Sequence, residues 1–81
     1  MKVEVLYFGI VREKLGSGRE LIDLPEGATV ETLLRHLSGR LQADNRGAGS
    51  IRVAVNRDYV GSDHALYDSD EVALIPPVSG G

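Results

Sequence analysis

The most reactive chemistry in this sequence is offered by the run Pro76-Pro77-Val78-Ser79-Gly80-Gly81. Pro76 and Pro77 each fix φ near about −65°, which makes the segment leave whatever precedes it stiff and extended. Gly80 and Gly81 carry no Cβ, so their backbone fits a channel too narrow for any other residue. Fully extended, residues 76–81 reach about 20 Å. An α-carboxylate on Gly81, with a pKa of about 3.5, is ionised at neutral pH and is a poor electrophile. Activation by a nucleotide, giving an acyl adenylate, turns it into a good one, and a terminal glycine least obstructs the attacking sulfur or amine. The sequence contains no cysteine, so sulfur carried by this chain has no side chain to rest on. It would sit on the C-terminal carbonyl as a thiocarboxylate. Against this stands a simpler reading, a loose and dispensable chain end, and composition alone leaves the two open.

Other candidate chemistry is weaker. His36 and His64 lie in different elements with no further ligand at metal-binding spacing. Asp68-Ser69-Asp70-Glu71 begins like a calcium loop, but Val72 and Ala73 stand where a ligand and a glycine are needed. Gly47-Ala48-Gly49-Ser50 lacks the Gly-Lys-Ser/Thr of a phosphate loop. No serine or aspartate sits in a recognisable nucleophile elbow. The expectation is a chain with no catalytic residues of its own and no metal.

The elements that must position the C-terminal run are legible from periodicity. Val3, Val5 and Tyr7 alternate with Glu4, Leu6 and Phe8, as in a strand with one face buried. Gly9 to Gly16 reads as a short helical turn closed by glycine, and Arg19 to Leu24 as a second strand between glycine-rich and Pro-Glu-Gly turns. Thr29 is an N-cap for a helix of about three turns whose stripe is Val30, Leu33, Leu34, Leu37 and Leu41. Glu31 and Arg35 face away from that stripe as a favourable i,i+4 pair. Residues 42–50 form a polar, glycine-rich loop. Ile51, Val53 and Val55 mark a third strand, Asn56-Arg57-Asp58 a tight turn into Tyr59-Val60, and Glu71 to Ile75 the last strand. Two strands, one packed helix and a return of strands predict an α+β roll with a mixed sheet in a single domain over 1–81.

Composition narrows the class further. The chain has 81 residues, 42% of them hydrophobic, and a net charge of −3 with both signs interspersed. That is enough apolar material for a small core, and no basic footprint for nucleic acid. No apolar run approaches the roughly 20 residues of a membrane span, and no signal peptide opens the sequence, so a cytoplasmic protein is expected.

The sequence resembles the MoaD/ThiS sulfur-carrier family of ubiquitin-like β-grasp proteins, on the branch of the molybdopterin synthase small subunits. The resemblance rests on Val5-Leu6-Tyr7-Phe8 with Val11-Arg12-Glu13, on Thr29-Val30 with Leu33-Leu34, on Ala54-Val55-Asn56, and above all on Asp70 through Gly81. Ser69 departs from the glycine usual in that turn. The resemblance implies a β-grasp fold and a two-stage cycle. A ubiquitin-activating-type adenylating enzyme (MoeB), consuming ATP, would adenylate Gly81, and a sulfur donor system would convert it to thioglycine. Pro76, Pro77, Val78, Ser79, Gly80 and Gly81 would then enter the large molybdopterin synthase subunit (MoaE) and give sulfur to cyclic pyranopterin monophosphate. The family's synthase is a heterotetramer of two small and two large subunits, with the catalytic residues expected on the large one. By the same analogy Phe8, Leu74 and Ile75 would form the partner-facing apolar surface; ordinary core is the alternative for all three. Carriers for thiamine thiazole, cysteine or tRNA thiolation, a ubiquitin-like modifier of lysines, and a non-covalent interaction module remain as rivals. Iron–sulfur β-grasp proteins do not, because there is no cysteine.

Overall fold

The computed structural model describes residues 1–40 and 51–76. It has five strands and two helices in the order β1 (Lys2–Tyr7), α1 (Gly9–Leu15), β2 (Arg19–Asp23), α2 (Val30–Leu37), β3 (Arg52–Val55), β4 (Asp58–Val60) and β5 (Glu71–Ile75). The strands make one mixed sheet, ordered β2-β1-β5-β3-β4, in which β1 and β5 run parallel and all other neighbours antiparallel. The α+β architecture expected from the sequence is present.

Each element has a local cause. Thr29 caps α2 through a reciprocal pair: its hydroxyl accepts from the Thr32 N–H, and its own N–H donates to the Thr32 hydroxyl. The helix then lays Val30, Leu33 and Leu37 into the core, with Leu34 only half-buried at the margin. It ends at Leu37, earlier than the apolar stripe suggested. Ser38 and Gly39 are poor helix formers, and the chain turns there, with the Arg40 N–H bonded to the Leu37 carbonyl. Leu41 and the loop 42–50 lie outside the described residues. Gly16 closes α1 in the left-handed conformation (φ 75°), donating its N–H to the Arg12 carbonyl.

The core lies on one side of the sheet. Register aligns Tyr7, Leu74, Val53 and Val60 in one inward row and Val5, Val72 and Val55 in the next. Val3, Val5, Val72 and Leu74 have no exposed surface, and α2 covers them with Val30, Leu33 and Leu37. The Tyr7 ring is buried, but its hydroxyl reaches the edge and donates to Glu20 Oε1 at 2.7 Å, where Arg40 also donates at 2.9 Å. This link ties β1 and β2 to the turn after α2. Burial, then the Glu20 hydrogen bond, pushes the Tyr7 hydroxyl well above the usual tyrosine range.

Candidate functional site

The site is the place where β5 ends. Parallel pairing sets Glu4 beside Glu71 and Tyr7 beside Leu74, so β1 and β5 finish together at the same end of the sheet. From there β1 continues into Phe8 and α1, while β5 continues through Ile75 to Pro76. Pro76 has no N–H to give to a ladder, so pairing stops and the chain departs. Pro76 is half-buried. Pro77, Val78, Ser79, Gly80 and Gly81 lie outside the described residues.

The structure separates the three residues named as a partner-facing surface. Phe8, at the N-cap of α1, is 46% exposed. Ile75 is half-buried and pairs with Arg52 on the face of the sheet away from α2. Leu74 belongs to the core: it has no exposed surface and packs in the row with Tyr7 and Val53. Neighbouring strand residues point to opposite faces, so Leu74 and Ile75 cannot both look outward. Leu74 is therefore removed from the partner-facing set.

What joins Phe8 and Ile75 outside was missed in the sequence. Register aligns Leu6, Ala73, Ala54 and Tyr59 in a row across the outer face. Tyr59 is 63% exposed, and the Arg52 guanidinium lies 5.8 Å from its ring centre. Ile10, on the first turn of α1, is exposed beside Phe8. The outer face thus groups Leu6, Ala73, Ile75 and Tyr59 as an apolar strip toward the end where β5 releases the chain, with Arg19 beside Leu6 and Arg52 beside Ile75; further away lie Glu4, ion-paired to Arg19, and Glu71. No helix among the described residues covers it. The signal that could have identified Tyr59 is the Asn56-Arg57 turn, which fixes the hairpin register and with it the face Tyr59 occupies.

The rest of the described surface offers little chemistry. No three metal-ligating side chains gather among the described residues, and both histidines are exposed. A groove of about 280 Å³ between α2 and the β3–β4 hairpin is lined by Val30, Leu34, Ile51, Val53 and Val60 together with Arg52, Tyr59 and Ser62. No helix among the described residues is long and apolar enough to cross a membrane.

With this geometry in place, comparison with known proteins is decisive. The model of the ThiS family matches residues 5–81. The chain belongs to the ThiS family. Within that family it is 40% identical to the molybdopterin synthase sulfur carrier subunit of Escherichia coli, over 98% of this chain and 99% of that one. The Chlamydomonas reinhardtii protein of the same name is 39% identical, with both chains covered completely. Among solved structures, a Pyrococcus furiosus protein assigned as molybdopterin converting factor subunit 1 superposes with a TM-score of 0.84 at 35% identity, covering 96% of this chain and 99% of that one. Haloferax volcanii small archaeal modifier protein 1 gives 0.80 at 28% identity, over 95% and 98%. In Helicobacter pylori the corresponding chain, 26% identical with a TM-score of 0.71 over both full lengths, is found in a complex of subunits 1 and 2 of molybdopterin-converting factor. A ubiquitin from Caldiarchaeum subterraneum, 16% identical with a TM-score of 0.68 over 100% and 98%, shares the fold alone. This ThiS-family chain therefore has the ubiquitin-like β-grasp fold.

Proposed function

We propose that this protein is the sulfur carrier subunit of a molybdopterin synthase. The observation that carries the reading is the end-to-end likeness, at 39–40% identity, to proteins of that name. The geometry agrees with it: β5 hands the chain to Pro76 at the apolar end of an uncovered sheet face. In this reading the Gly81 carboxylate attacks the α-phosphate of ATP on an adenylating enzyme, releasing pyrophosphate. Hydrosulfide released by a sulfur donor then attacks the acyl carbon, the bond to AMP breaks with AMP as leaving group, and a thiocarboxylate remains. The chain next docks on a large synthase subunit through Phe8, Ile75, Leu6, Ala73 and Tyr59, while residues 76–81 carry the sulfur to cyclic pyranopterin monophosphate. A proline pair restricts the backbone at the root of such a segment, and two glycines without Cβ suit it to a narrow channel. The catalytic groups belong to the partner, and this chain supplies the reacting atom.

The test is reconstitution. Incubation with the adenylating enzyme, ATP and a sulfur source should raise the mass of the intact protein by one oxygen-to-sulfur exchange. Adding the large subunit and the pyranopterin precursor should then yield molybdopterin. Removing Gly81, or extending the chain by one residue beyond it, should abolish the mass change and leave the circular dichroism spectrum unaltered. A thiocarboxylate that forms but never yields molybdopterin would assign the chain to a different sulfur pathway. Full activity of either variant would overturn the mechanism.

A further inference from the structure

Gly9 and Pro76 meet where β1 turns into α1 and β5 gives out. The parallel register pairs Tyr7 with Leu74, and two residues further on, just past the two strand ends, Gly9 meets Pro76. A Cβ placed on Gly9 would stand 2.8 Å from Pro76 Cγ and 3.7 Å from Cδ. The first distance is well inside van der Waals contact. Gly9 also has a φ of 55°, a left-handed conformation that most side chains disfavour. Two separate demands therefore fall on one residue, a backbone demand and a space demand. They can be told apart, because asparagine tolerates the left-handed region and still carries a Cβ.

The space demand concerns the direction in which the chain leaves the sheet. The Pro76 ring is closed onto its own backbone with φ fixed, so beyond a change of pucker at Cγ it has no rotamer by which to swing aside. Pushing the ring further shifts the backbone at the root of the C-terminal segment. We propose that Gly9 is a positioning residue for sulfur transfer: its missing side chain is the seat for Pro76, and that seat aims residues 76–81. The inference rests on the sulfur-carrier reading and adds to it a determinant outside the segment itself. A tilt of about 10° at Pro76 would move the far end of a fully extended segment by roughly 3 Å. A misplacement of about 1 Å at a reacting group can by itself cost about 100-fold in rate.

The test is a double-mutant cycle of Gly9→Asn in the unsubstituted protein and in Pro76→Ala, which lacks Cγ and Cδ. Steady-state kinetics of ATP-dependent adenylation at Gly81 are measured for all four proteins with the adenylating enzyme. Gly9→Asn alone should lower kcat by about tenfold or more with a smaller change in KM, since no side chain assigned to the docking surface is replaced. In the Pro76→Ala background the same change should cost less than about twofold. Equal losses in both backgrounds, or none in either, overturn the proposal. If Gly9→Asn does not fold, Pro76→Ala must restore folding and turnover, and failure to do so also overturns it. If the unsubstituted protein is not adenylated, the sulfur-carrier reading fails instead. The ¹H–¹⁵N spectrum then reads the contact alone: Gly9→Asn should shift the amides of Ile75 and of residues 78–81, the two prolines having none, and Pro76→Ala should erase that effect.

Discussion

Leu74 and Ile75 are adjacent, both apolar, and opposite in role. Leu74 is fully enclosed between Tyr7 and Val53, whereas Ile75 looks onto the uncovered face beside Arg52. The sequence could not separate them, because Glu71-Val72-Ala73-Leu74-Ile75 has no polar residue after the first to mark which parity faces water. Ala73 is too small to break the tie, and only the register with β1 and β3 does so. The distinction predicts opposite phenotypes. Leu74→Ala removes a buried side chain and leaves a cavity, so urea unfolding should show a loss of about 2–5 kcal/mol. Phe8→Ser, at a position 46% exposed, should change stability by no more than about 0.5 kcal/mol. It should weaken the complex with the large synthase subunit by about tenfold or more in calorimetric titration, as loss of an aromatic anchor does. A Phe8 variant that binds normally would remove that residue from the docking surface.

Turns are the elements in which this chain deviates most from ideal residue choice. Asn56 and Arg57 take φ values of 50° and 77°, and Ser69 takes 71°. The Asn56-Arg57 pair makes a two-residue hairpin connection with both residues left-handed, where asparagine is favoured and arginine is not. Ser69 occupies the position where the resemblance leads one to expect glycine, and its positive φ is the physical reason for that preference. Ser69→Gly should therefore stabilise the protein by about 0.5–1 kcal/mol, the relief of left-handed strain less the added freedom of the unfolded chain. In a domain of this size that raises the melting temperature by roughly 2–8 °C; an unchanged or lower midpoint would contradict it. The elements themselves were readable because their signals are local: the Thr29 cap, the Val30-Leu33-Leu37 stripe, Gly16 as helix stop and the alternation of β1. The end of α2 was not, since an apolar residue at Leu41 continued the period past a Ser38-Gly39 break. The outer row of Leu6, Ala73, Ala54 and Tyr59 was hidden for a different reason. It exists only once four strands are set in register, and no single segment displays it.

At the scale of the whole molecule, one face of the sheet is buried under α2, and no helix among the described residues packs on the other. Among the described residues no polar or charged residue is buried, and the shifted carboxylates are partnered at the surface, Glu20 on the edge strand β2 and Asp68 in the turn before β5. Glu20 is held below the ordinary glutamate range, first by the Arg40 guanidinium and then by the Tyr7 hydroxyl. Asp68 is held below the ordinary aspartate range, first by the backbone N–H of Lys2 at 2.8 Å. Both carboxylates bind protons more weakly in the folded chain than in the unfolded one. Their contribution is therefore complete above the unfolded values of about 4.3 and 3.9, and is lost as pH falls through the lower folded values. Tyr7 acts with the opposite sign, because its folded pKa is raised. Its contribution is complete below the unfolded value of about 10 and declines as pH rises above that point. The urea midpoint should thus form a plateau between about pH 5 and pH 9 with a limb on each side. Glu20→Gln should lower the plateau and flatten part of the acid limb, leaving the share due to Asp68. Tyr7→Phe should flatten the alkaline limb and, by removing one partner of Glu20, shift the acid limb toward higher pH. An acid limb identical in the unsubstituted protein and Glu20→Gln would mean that the link between Tyr7, Glu20 and Arg40 does not hold the two edges of the fold together in solution.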